Sequence, residues 1–135
     1  MAILIVVRGR GNSGKTSSIG KFMRDHRGVH CGPLLPPHIV LPIQKGENSY
    51  ILGVGKNGDD ATAVGETLRL FSEFNCDIVV CATKSQGNSV AALDLFLAAN
   101  KNIDVRHVNS RFIAKGGDCT TANSAVAAEI ESHIP

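Results

Sequence analysis

The stretch that most constrains this chain is Gly9-Arg10-Gly11-Asn12-Ser13-Gly14-Lys15-Thr16, which has the pattern G-x-x-x-x-G-K-T. Before it stands Ile3-Leu4-Ile5-Val6-Val7, an unbroken apolar run rich in β-branched residues. A run without polar alternation predicts a strand buried on both faces, and such strands belong to sheets covered by helices. From Thr16 to Asp25 there is no proline, which predicts a helix opening directly after the last loop glycine. Strand, glycine loop and helix therefore follow one another without a break.

The residue types in the loop point to anion chemistry. Gly9, Gly11 and Gly14 carry no Cβ, so the backbone is free to turn left-handed and wrap closely around a ligand. Amides wrapped in this way point inward as a nest of donors. The loop ends at a helix N-terminus, where unpaired amides and the helix dipole favour negative charge. Lys15 is placed to reach β- and γ-phosphates as a point charge, and Thr16 to offer its hydroxyl to Mg²⁺. Arg10, Asn12, Ser13 and Ser17 complete the candidate contact set.

On these residues the chain resembles the P-loop NTPase superfamily, whose Walker A motif has this pattern. The resemblance covers Gly9 to Thr16 with the flanking strand and helix, and it singles out no narrower family. It implies a nucleotide, ATP or another NTP, bound with Mg²⁺, and it implies a catalytic role for Lys15.

Length and composition set the bounds. A chain of 135 residues makes one domain, expected to span 1–135, and is long enough to bury a core. At 43% hydrophobic and 19% charged residues it has the make-up of a globular protein rather than a disordered one. A formal net charge of +2 gives no case for nucleic-acid or membrane binding through bulk electrostatics. No apolar run reaches the length of a membrane span, and Met1 to Val7 reads as a core strand rather than a leader. Cys31, Cys76, Cys81 and Cys119 show no C-x-x-C spacing, so reduced, buried thiols in a cytoplasmic protein are expected.

Further along, His26-Arg27-Gly28 closes the first helix with basic residues and a glycine, and Val29 to Pro37 is a proline-bearing loop. His38 to Ile43 is expected as an edge strand, because Pro42 removes a ladder donor. A turn at Lys45 to Asn48 returns the chain into a strand at Tyr50 to Val54, which makes a hairpin. Ala61, Val64, Leu68, Phe71 and Phe74 form one helical stripe. Cys76 to Ala82 is a buried strand, Val90, Leu93, Phe96 and Leu97 line a helix, and Ile103 to Val108 alternates as a strand nearer the edge. A last helix starts near Thr120 or Thr121. This alternation predicts an α/β three-layer sandwich, a five-stranded, mostly parallel sheet with helices on both faces. The element order resembles that of small GTPases shortened by one unit. That likeness implies strand order 2-3-1-4-5 with strand 2 antiparallel, and a nucleotide at the carboxyl ends of the strands.

Other residues are candidates for the chemistry around such a nucleotide. Asp59 and Asp60 follow the strand expected beside the loop strand, where a carboxylate holds Mg²⁺ directly or through water. The competing role for either is to cap the next helix. Asp77 opens its strand and is expected at the far end of the sheet. Lys84, in the loop Thr83 to Asn88, is placed to lie against the base. Gln86 stands where the guanine-reading carboxylate of GTPases would be, and no D-x-x-G follows strand 3, which argues against guanine specificity. Arg106, Arg111 and Lys115 are expected at the catalytic end, where a cation would neutralise transferring charge. The five histidines show neither H-x-x-x-H nor H-E-x-x-H spacing, and there is no G-x-S-x-G.

The expected function is therefore binding of Mg-ATP with hydrolysis. The alternatives are a small-molecule kinase that passes the γ-phosphoryl to a nucleoside or nucleotide acceptor, and a nucleotide-sensing adaptor read by a protein partner.

Overall fold

The apolar run at the start of the chain forms β1 (Ile3–Arg8), whose residues Ile3 to Val7 are all buried. The computed structural model describes residues 2–9, 15–29, 38–55, 60–84, 87–110 and 119–135. After β1 come α1 (Lys15–Arg27), the hairpin of β2 (His38–Lys45) and β3 (Asn48–Gly55), then α2 (Ala61–Leu68) and the short α3 (Leu70–Glu73). The chain continues with β4 (Ile78–Thr83), α4 (Asn88–Ala99), β5 (Asp104–Asn109) and α5 (Cys119–Ser132).

The class expected from the sequence is present: one five-stranded, mostly parallel sheet in which β2 alone runs antiparallel to its neighbour. Pro42 sits in β2, which is an edge strand, where the missing donor costs nothing to a second neighbour. Gly46 takes φ +60 in the hairpin turn and Gly28 takes φ +68 after α1, two positions where a side chain would be strained.

The strand order is β2-β3-β4-β1-β5, and this corrects the expected 2-3-1-4-5. β4, not β1, lies beside β3. The reason is that β1 and β4 are both apolar up to their last residues, Arg8 and Thr83, and every residue of β4 is buried. Local pattern marks both as central strands and does not rank them. Only the second half of β3 is buried, and it pairs with β4 from Leu52↔Ile78 to Val54↔Val80.

Alternate β1 side chains enter two separate cores, as the pleat requires. Ile3, Ile5 and Val7 pack with Ile19, Phe22 and Met23 of α1 and with Val126 and Ile130 of α5. Leu4 and Val6 pack with Val64 and Leu68 of α2, Leu70 of α3 and Leu93 of α4. The stripe expected over Ala61 to Phe74 is interrupted at Arg69, which separates α2 from α3, and Phe74 is left 53% exposed.

Cations close the amino edge of the sheet. Lys45 Nζ donates to the carbonyls of Glu131 (2.9 Å) and Ile134 (2.6 Å), and Arg27 pairs with Glu131. The Lys45 contacts satisfy one carbonyl in the last turn of α5 and one just past its end, and place a cation where the helix dipole favours it. Among the described residues no helix is long and apolar enough to cross a membrane.

Candidate functional site

β1 ends at Arg8 and α1 begins at Lys15, so the glycine motif spans the connection between them. Its first residue is held. The Gly9 amide donates to the Thr83 carbonyl at 3.1 Å, and on the other flank the Ser110 amide donates to the Arg8 carbonyl at 2.8 Å. The Ser110 hydroxyl donates to the same carbonyl at 3.2 Å. The loop therefore leaves a backbone tied to both neighbouring strands. Residues 10–14, which include Arg10, Gly11, Asn12, Ser13 and Gly14, lie outside the described part, as do the side chains of Lys15 and Thr16. Ser17 is exposed in the first turn of α1, and no acidic residue stands in that turn to offset its positive end.

The corrected strand order moves the crevice. After β1 the chain turns to the face carrying α1; after β4 it turns to the opposite face, where α4 crosses over β1 to reach β5. The point where connections diverge to opposite faces therefore lies between β1 and β4 at their carboxyl ends. Arg8 and Thr83 are the residues in register there.

This geometry sorts the other candidates. Asp60 is the N-cap of α2: its carboxylate accepts from the Ala63 amide at 2.8 Å, with extended backbone at φ −138. Asp59 lies outside the described residues. β3 stands two strands from β1, about 10 Å away. Asp77 does lie at the far end, where its carboxylate accepts from the Ile51 amide at 2.8 Å. Lys84 follows Thr83 at the crevice, and its amide donates to the Ser89 hydroxyl at 3.0 Å. Gln86, Arg111 and Lys115 lie outside the described residues.

Arg106 is not at the carboxyl end of the sheet, where it was expected. Its guanidinium donates to Asp104 at 2.9 Å and to the His133 carbonyl at 2.8 Å, beside the end of α5. The pleat sent it there: it sits mid-strand opposite Ile5, three residues short of the carboxyl edge. Among the described residues no group of three or more His, Cys, Asp or Glu is placed to hold a metal. Cys76 and Cys81 are buried free thiols, as expected.

Two residues at the crevice were not singled out by the motif. Arg8 Nε and Thr83 Oγ1 are buried side-chain atoms with no hydrogen-bond partner among the described residues. The signal in the sequence is an arginine ending an otherwise apolar strand. Its charge acts on the row of residues beneath it. Burial pushes the Cys81 thiol up to about 12 against the opposing pull of Arg8. Partial burial, and then the Arg8 guanidinium, hold His107 below the usual imidazole range. Both residues are in register with Val6, so the Arg8 charge lies on the α4 face of the sheet.

An apolar groove of about 450 Å³ opens at the other edge, between Leu68, Phe71, Cys76, Ala92, Phe96 and Ile103. It is remote from the glycine motif. No protein-family model, curated protein or solved structure matches the chain.

Proposed function

We propose that the chain is a P-loop nucleotide-binding protein that takes Mg-ATP at the β1–β4 crevice and hydrolyses it. The observation that carries the reading is the position of Gly9 to Thr16: it joins β1, an interior strand buried from Ile3 to Val7, to a helix at the carboxyl edge, beside the switch point of the sheet. Backbone amides of the loop and the N-terminus of α1 take the phosphates. Lys15 neutralises the β- and γ-oxygens, and Thr16 binds the metal. Asp60 is engaged in capping α2, so the water-mediated contact to the metal falls to Asp59. Bound Mg²⁺ supplies charge neutralisation at the transferring phosphoryl group.

The base is held with little discrimination in this reading. Gln86 cannot supply the charged acceptor that guanine would need, and the Lys84 stem offers only a surface that any purine accepts. Competition of GTP against a labelled ATP analogue tests this, with ATP expected to bind at least as well. A hundredfold advantage for GTP would reverse the assignment of the loop.

A turnover assay separates hydrolysis from transfer. Phosphate release from ATP without any acceptor supports the NTPase reading. ATP consumed only when a nucleoside or nucleotide is added supports the kinase alternative, and nucleotide bound without turnover supports the adaptor alternative.

A further inference from the structure

The crevice has two walls, and the nucleotide reading uses only the one that carries α1. On the other wall, Arg8 and Thr83 project from adjacent strands in register, on the face where α4 packs. Thr83 is fully buried, yet its hydroxyl has no partner among the described residues, and neither does the buried Nε of Arg8. An unpaired buried hydroxyl costs stability, and so does a partly buried guanidinium without a counter-charge.

α4 begins after Gly87, which makes no side-chain cap, and its first turn contains no acidic residue. That turn lies against the end of β4, because the buried Ser89 accepts from the amide of Lys84, the residue after Thr83. The first turn of α4, a hydroxyl and a guanidinium thus lie at one strand end, with no carboxylate ion-paired to Arg8 among the described residues.

We propose that Arg8, Thr83 and the first turn of α4 form a second oxyanion site that takes the phosphate group of a second ligand bound across the crevice from the nucleotide. The donor set favours phosphate over carboxylate, because it offers more donors, pointing from more directions, than two carboxylate oxygens accept. The proposal rests on the nucleotide reading only for what lies across the crevice. A phosphorylated acceptor seated here would face the γ-phosphate, which deepens the kinase alternative.

The test titrates inorganic phosphate by calorimetry into the full chain carrying Lys15→Ala, which weakens the glycine loop, so that any phosphate the loop amides still hold is the part that does not respond to Arg8 or Thr83. Phosphate is expected to bind, and adding Arg8→Gln to weaken it roughly tenfold or more, the loss of a charge-assisted bond. Thr83→Val, which keeps the shape, is expected to weaken it roughly fivefold. Circular dichroism confirms that each variant is folded. No phosphate binding at millimolar concentration, or binding indifferent to both substitutions, overturns the proposal; acetate binding as tightly as phosphate overturns the assignment to phosphate. A wild-type chain that fails to bind ATP refutes the nucleotide reading, and the phosphate arms still decide this one.

Discussion

Arg8 and Thr83 end adjacent parallel strands in register, and each leaves a buried polar atom without a hydrogen-bond partner among the described residues. In a folded interior such a pair costs stability, and it stands at the one sheet position where the connections part to opposite faces. The stability penalty can be measured without any ligand. Thr83→Val removes the orphaned hydroxyl and keeps the volume, so in ligand-free buffer it is expected to stabilise the chain by about 1 kcal/mol. A urea melt checks it. Destabilisation would mean that the hydroxyl has a partner in solution.

Asp60 and Asp59 are expected to separate by substitution. Asp60→Ala removes the bond to the Ala63 amide and should cost about 1 kcal/mol of stability, while Asp60→Asn keeps a good cap and should cost little. Asp59→Asn should instead reduce the Mg²⁺ dependence of turnover and leave stability unchanged. Denaturation and a magnesium titration of turnover, run on the same three variants, check both halves.

Gly55 ends β3 directly against α2. A Cβ there would meet the Thr67 side chain well inside van der Waals contact. Gly55→Ala is expected to destabilise by about 1–3 kcal/mol, the usual cost of overpacking. Thr67→Ala in the same chain should recover part of the loss, because it removes the two nearest of the atoms in the way and leaves only the Cβ. Thermal melts of the single and double variants give the coupling.

His107 gives the expected pH dependence. Its folded pKa lies below the ordinary imidazole value, first through partial desolvation of this largely exposed ring and then through Arg8. The unfolded chain therefore binds its proton more readily. The contribution of His107 is fully present above the unfolded value, near pH 6.5, and is lost as pH falls through the lower folded value. Stability should drop on acidification over that window, and drop less in His107→Gln. Phosphate bound at Arg8 should offset its charge and move the His107 titration to higher pH, a shift readable in the imidazole proton resonances.

Much of this fold was legible in the chain because the signals were local. The apolar run before Gly9, the turn at Gly46 and Pro42 in an edge strand each follow from one residue's backbone or solvation demands. Strand order was not local. β1 and β4 are equally apolar, and which of them meets β3 depends on packing across the whole sheet. The same non-locality misplaced Arg106, whose partner His133 is 27 residues away. The Arg8–Thr83 pair was hidden for a different reason: either strand order sets β4 beside β1, but the register that puts these two residues level is fixed by the pairing and not by any local pattern. The glycine motif was legible for the opposite reason: its eight residues carry the whole pattern.

The central claim is that Gly9 to Thr16 binds nucleotide phosphates, and calorimetry with Mg-ATP on the wild type and Lys15→Ala tests it most directly. The wild type is expected to bind with a dissociation constant in the micromolar range, on the order of that usual for nucleotide enzymes, and Lys15→Ala to lose measurable binding. Equal affinity in the two proteins, or no binding by the wild type, would contradict it.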